Sequence, residues 1–193
     1  MAGGVSTPRM KSHRLIYLSA AMSLTLGALL TGCFHQPRDN AREALLSLPY
    51  EEFDQTPDSG WRVWFKQKRN REAVVLIEEY LKRHCDLTPK HSAMLHFHAA
   101  QLLATEGRES QRAIAHLKQA RCDGQNPGYN EFADAMRAFL ERDRDELLAI
   151  WARVAQYPPN GMTAVYQSVV GSFVERFEDS YNDVMAYEAA KKK

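Results

Sequence analysis

From Gly60 onward the apolar residues of this chain recur every three or four positions, and no other feature constrains its fold as tightly. Phe132, Ala135, Met136, Phe139 and Leu140 fall at i, i+3, i+4, i+7 and i+8. Leu147, Leu148, Trp151, Val154 and Ala155 keep the same period, as do Ala73, Val74, Ile77, Tyr80 and Leu81. Met162, Val165, Tyr166, Val169, Val170, Phe173, Val174 and Phe177 sustain it for four turns. Each set forms an apolar stripe wide enough for one helix to pack on another. No alternating run is flanked by hairpin turn chemistry, so the expected fold class is all-α.

The helical segments also echo one another. "WFKQKRNREAVVLIEEYLKRHCD" (64–86), "LLATEGRESQRAIAHLKQARCD" (102–123) and "FLERDRDELLAIWARVAQYPP" (139–159) share one plan, with starts 38 and 37 residues apart. An apolar pair closes one helix, a tight polar turn follows, then a second amphipathic helix and a breaker. A single hairpin of this kind cannot bury its apolar face alone, and stacking neighbours solves the problem. In helix length and phasing, residues 58–190 resemble the tetratricopeptide-like superfamily. The resemblance implies an α-solenoid of stacked antiparallel helical hairpins, about three repeats followed by a C-terminal helix pair after Asn160-Gly161. The family's consensus residues are only partly present and its 34-residue period is exceeded; an ordinary helical bundle is the other reading of the same pattern.

The N-terminal region has a different character. "LIYLSAAMSLTLGALLTGCFHQ" (15–36) holds the longest apolar run, uncharged from Leu15 to Leu30 and interrupted by serines, a threonine and a glycine. Spanning the hydrocarbon core takes about 20 mostly apolar residues, which makes this run marginal as a span. Arg9, Lys11 and Arg14 precede it and no acidic residue occurs before Asp39, as in the basic region of an export signal. The run ends in Leu30-Thr31-Gly32-Cys33, which resembles the lipobox of bacterial lipoproteins. That resemblance implies a signal peptide over 1–32, cleavage before Cys33, and a lipidated Cys33 as the first mature residue. The alternatives are an uncleaved anchor or a buried core helix. Acyl chains at about 0.8 kcal/mol per buried CH₂ would hold the protein on a membrane without a spanning helix. Phe34 stands where inner-membrane lipoproteins of enteric bacteria carry Asp, which favours the outer membrane, facing the periplasm.

The whole chain has 25 basic and 24 acidic residues; without Arg9, Lys11 and Arg14 the remainder carries 22 against 24. A balance this close to neutral disfavours nucleic acid as a partner. Residues 33–57 read as a tether with one short helix, polar apart from "ALLSL" and containing Pro37, Pro49 and Pro57. Lys191-Lys192-Lys193 reads as a solvated basic tail over 191–193.

With Cys33 lipidated, Cys85 in "RHCD" and Cys122 in "ARCD" form an even pair one repeat apart. In an oxidising compartment they are expected to bond, contributing about 3–4 kcal/mol in the chain-entropy view. The alternative is two thiols that repeat with the motif. His84, His91, His96 and His98 cluster nearby, but a helix from His91 turns His96 and His98 about 200° apart. His91 and His98 share a face two turns apart, so no metal site and no cofactor is expected, with ligand or metal binding in the His91/His98 region as the alternative. Neither a GxSxG nor an SxxK sequence occurs, and Gly124, Pro127 and Gly128 make an inter-helix turn rather than a phosphate loop, so no catalytic residue is assigned.

In such a solenoid the first helices of successive hairpins line a concave face that grips a partner. Here they supply His91, His98, Gln101, Asn130, Asp134 and Arg137 as polar positions. Trp61 and Trp64 precede them, either as anchors for a partner or as a cap on the core. The expected function is therefore a non-catalytic adaptor holding this module in the periplasm. Lipoproteins of similar plan act in pilus or secretion-channel assembly, in outer-membrane biogenesis, or as scaffolds for cell-wall enzymes.

Overall fold

The computed structural model of the protein describes residues 37–191; Cys33, the apolar run before it and the last two lysines lie outside the described residues. Nine α-helices and one π-helical turn make up the described residues, and they contain no strand. In chain order these are α1 (Pro37–Leu46), the π-turn (Glu51–Gln55), α2 (Arg62–Lys66), α3 (Asn70–Arg83), α4 (Pro89–Glu106) and α5 (Ser110–Gln119). There follow α6 (Tyr129–Glu141), α7 (Arg144–Val154), α8 (Gly161–Glu175) and α9 (Tyr181–Lys191).

Local chemistry sets several boundaries. Thr88 accepts a hydrogen bond from the His91 amide (3.2 Å), and Pro89 takes the first helical position of α4, where its missing N–H costs nothing. Asp143 caps α7 in the same way through the Glu146 amide (2.9 Å). Ser180 caps α9 through the Asp183 amide (3.2 Å).

Three of the helix-to-helix turns share one device. Lys68 (φ 62°), Gly107 (φ 68°) and Arg142 (φ 60°) are left-handed residues between α2 and α3, α4 and α5, and α6 and α7. A left-handed residue just past a helix end satisfies the last carbonyls and turns the chain back along its own helix. Without glycine's freedom Arg142 adopts this conformation at some cost, offset by its own contacts. Its guanidinium donates to the Phe177 and Asp179 carbonyls and lies over the Phe139 ring at 5.0 Å. The turn between α8 and α9 has no left-handed residue among those described.

Consecutive helices from α3 to α9 pack against one another, and α6 also packs on α8. The first helices of the hairpins are joined by aromatic contacts: Phe97 to Phe132 (centroids 5.3 Å), Phe132 to Tyr166 (4.9 Å) and Phe139 to Phe173 (4.7 Å). Burying rings of this size supplies much of the apolar area that drives packing. The expected C-terminal pair forms, but α9 goes its own way. It packs on α8 and returns to α4, two hairpins back, where Asn182 donates to the Thr105 carbonyl (2.7 Å).

The segment read as a tether is part of the folded unit from Leu46 onward. Leu46, Phe53 and Asp54 are fully buried, and Phe53 stacks on Tyr80 of α3 at 3.7 Å. Gly60 (φ 52°) completes the wrap: a Cβ there would lie 1.9 Å from the Phe53 carbonyl oxygen, so only glycine lets the two backbones approach. The polarity of residues 49–57 reads as solvated chain because their one buried charge, Asp54, takes its charged and aromatic partners Trp61, Arg62 and His98 from outside the segment.

The expected disulfide is absent: Cys85 and Cys122 are free thiols. Their shared "CD" ending does not put them in equivalent surroundings. Cys85 lies exposed just beyond α3 with its sulfur near the Lys82 carbonyl (3.8 Å). The Cys122 backbone is instead clamped by Asn130, whose side chain bonds both its N–H and its carbonyl at 3.1 Å.

Candidate functional site

Between α4, α6, α8 and α9 lies an open cleft of about 620 Å³. Helix α4 contributes Met94, Phe97, His98 and Gln101, the i, i+3, i+4, i+7 face turned away from Leu95, Ala99 and Leu102, which pack with α3. Phe132 of α6 and Val165, Tyr166 and Val169 of α8 form the floor, and Met185 and Glu188 of α9 close one side. Met94, Met162 and Met185 bring three thioethers to this cleft, and Met162 is 47% exposed at its mouth. Flexible, polarizable methionines suit a surface that must adapt to an incoming apolar group.

Two polar groups in the cleft are fixed from behind. His98 donates from Nδ1 to Asp54 Oδ1 (2.8 Å), so its ring orientation is set by the π-turn. Asp54 also accepts from the Trp61 indole (2.8 Å), the Tyr50 hydroxyl (3.0 Å) and the Gln55 amide (2.6 Å), with Arg62 at 3.6 Å. Burial alone would raise this carboxyl, but the hydrogen bond and charge of His98, then Trp61 and Arg62, outweigh it and hold Asp54 below the usual carboxylate range. The second group is Glu188 on α9, buried to 2% exposure, accepting from Ser168 (2.8 Å), Ser172 and Lys191 (3.0 Å). Here too burial is outweighed, by the Ser172, Lys191 and Ser168 hydrogen bonds, and the carboxyl is lowered.

Of the polar positions expected on the concave face, His98 and Gln101 reach this cleft. Burial pushes the Tyr181 phenol up. The others are occupied within the fold. His91 stacks on Tyr50 with ring centroids 3.7 Å apart, Asn130 clamps Cys122, Asp134 pairs with Arg121, and Arg137 pairs with Glu141 and Glu146. Trp61 is buried, and Trp64 packs against the same core with Arg69 over its ring at 4.9 Å. Both tryptophans cap the N-terminal core.

A second polar cluster was not legible in the sequence because three helices supply it. Glu78 of α3 receives the Arg112 fork (3.1 and 2.6 Å) and His116 Nε2 (3.1 Å), while His116 Nδ1 faces His96 Nδ1 at 2.9 Å. The Glu78 carboxylate accepts from His116 Nε2–H, which leaves His116 Nδ1 to accept from His96. Burial, and then the neighbouring His116, lowers the His96 pKa to about 4. The centroid separation of 5.1 Å fits two nitrogens aimed at each other, as in a hydrogen bond, rather than at a shared ion. Among the described residues no three or more His, Cys, Asp or Glu side chains converge as a metal site would require, and no helix is long and apolar enough to cross a membrane.

The class these observations define is an all-helical protein whose hairpins present one Met-lined cleft. Comparison with family models, with curated proteins and with solved structures finds no match to this chain.

Proposed function

We propose that the protein is a non-catalytic adaptor of the bacterial envelope. It is carried on the outer membrane by lipidated Cys33, faces the periplasm, and receives an apolar segment of another envelope protein. The observation that carries this reading is the Met-lined cleft on α4, α6 and α8, apolar on its floor and held open beside α9. Apolar walls with a few fixed polar groups are the usual make-up of a recognition site. A TPR-like stack of hairpins suits the role. It is supported by the recurring left-handed turns and by the spacing of Phe97, Phe132 and Tyr166, which are 35 and 34 residues apart and in contact. The lipobox-like Leu30-Thr31-Gly32-Cys33 supports the anchor.

A periplasmic ligand-binding lipoprotein is the second reading. It is favoured by the size of the cleft, about 620 Å³, and by His98 in its wall. Crosslinked pulldown of the full chain from native membranes separates the two, with Cys33→Ser as the control for anchoring. The adaptor reading expects one dominant envelope protein, lost when Met94 and Val165 are both changed to Asp. Recovery of a stoichiometric small molecule or metal and no protein would replace it with the second reading.

A further inference from the structure

Helix α9 differs from every other second helix in where it goes. It buries three of its eleven residues, Tyr181, Val184 and Glu188, as many as α7 does. But α7 is held between the neighbouring helices α6 and α8, whereas α9 has α8 alone as its sequence neighbour and otherwise reaches back to α4. No left-handed residue precedes it to direct the chain back along α8, and its link is pinned from outside, by Arg142 donating to the Phe177 and Asp179 carbonyls. It lies on the cleft face of the first helices, with Met185 and Glu188 forming part of the cleft wall.

Its contacts spell out what that face accepts. Tyr181 meets Phe173 at 6.0 Å, Asn182 reaches the Thr105 carbonyl, Val184 is fully buried, and the Glu188 carboxylate meets the Ser168 and Ser172 hydroxyls of α8. These positions, i, i+3 and i+7 with Met185 at i+4, form one face of an amphipathic helix laid in a groove.

We propose that the face of α4 and α8 is a receptor for an amphipathic helix, and that α9 occupies it as the chain's own stand-in. The partner helix presents the same face as α9. It has an aromatic residue, a β-branched residue and a methionine three and four positions on, and a carboxylate seven positions on that takes the two serine hydroxyls. This rests on the adaptor reading and deepens it, because a partner seated in the open cleft extends its contact onto the ground under α9 by displacing that helix. A site that is mostly self-occupied binds in proportion to the fraction that is open, which keeps the free protein from capturing stray helices.

The test uses a fluorescent peptide of residues 179–191 and the full chain carrying Cys33→Ser. The chain with Val184→Asp, whose own α9 is weakened, is expected to bind the peptide at least about tenfold more tightly than the chain with native α9. A peptide carrying Val184→Asp is expected not to bind. Equal affinity for both chains, or no binding to a folded Val184→Asp chain, overturns the proposal. If that variant fails to fold, hydrogen exchange on the native chain decides. Opening of α9 while α6 and α8 stay protected supports the proposal, and exchange of α9 only together with α6 and α8 overturns it. Recovery in the pulldown of an envelope partner that the peptide does not compete away sinks this inference alone, whereas an absent partner sinks the adaptor reading and leaves peptide binding standing.

Discussion

The two halves of this molecule are held together by different means. Around α1–α5 the core closes over charge. Asp54 is fully buried and gathers Tyr50, Gln55, Trp61, Arg62 and His98, while Glu78 gathers Arg112 and His116. From α6 to α9 the core is aromatic and aliphatic, with Phe132, Phe139, Tyr166, Phe173, Phe177 and Tyr181 in one cluster. Helix α4 serves both, giving Leu95, Ala99 and Leu102 to the first core and Phe97, Ala100 and Ala104 to the second. A buried ion network fixes one arrangement, because every partner left unpaired is costly, whereas apolar packing tolerates sliding and exchange. The half that holds α9 carries one buried carboxylate, Glu188, bound by Ser168, Ser172 and Lys191, and the knot at Asp54 reaches the cleft through His98.

Removing the knot gives the largest expected effect. Asp54→Ala leaves Arg62 and His98 facing an uncharged cavity and is expected to cost about 3–5 kcal/mol, read from the urea midpoint. Hydrogen exchange should place the loss in α1–α3 and spare α8; an equal loss across both halves would mean that they unfold as one unit and that the contrast has no energetic content.

A smaller effect is expected on the other side. Arg142→Ala removes two hydrogen bonds to the α8–α9 link and should cost about 1–2 kcal/mol. Its sharper signature is faster exchange at α9 with α3 unchanged. Unchanged exchange at α9 would show that the link is held by its own packing against Phe139 and not by the arginine.

The smallest expected effect concerns pH. His96 has its pKa depressed to about 4 in the folded protein, while an unfolded histidine titrates near 6.5. The unfolded chain therefore binds a proton first. The contribution of neutral His96 is fully present above about pH 6.5 and is lost as pH falls toward about 4. His96→Gln should flatten the dependence of unfolding free energy on pH over that window, measured by urea denaturation at several pH values. An unchanged slope would show that Glu78 and His116 keep their geometry without His96.

Much of the helix content was open to reading before any fold was known. Phe132 to Leu140 and Met162 to Val174 lie where their period puts them, in α6 and α8, because an apolar stripe is a local pattern that needs only a surface to meet; Phe177, counted in the same stripe, falls in the turn past α8. The turn at Gly107 was visible for the same reason, since glycine past a helix end has a local cause. Arg142 in the same conformation gave no such signal, because its compensation comes from carbonyls 35 and 37 residues away. The candidate site was legible in part. Gln101 and His98 are on the cleft face as the α4 period implies, while Asp134 and Arg137 on α6 were claimed by Arg121, Glu141 and Glu146. Whether a polar side chain on an exposed stripe stays free depends on what the next turn and helix bring near it.

The disulfide expectation failed for a related reason. Cys85 and Cys122 repeat in sequence with their "CD" ending, but a bond requires Cα atoms within about 7 Å and thiols turned toward each other. Repetition sets phase along the chain; the approach of two helix ends is set by the turns and side chains around each, and here Asn130 holds one of them.

Periodicity, breakers and charge balance by themselves determined that this chain would be helical and where most helices would run. Only the tertiary structure decided that Leu46, Phe53 and Asp54 belong to the core, that His96 and His116 meet over Glu78, and that α9 turns back to α4. The physical reason is one of range. Backbone hydrogen bonds and apolar stripes act within a turn or two, while a buried charge or a helix with one sequence neighbour settles wherever distant residues can satisfy it.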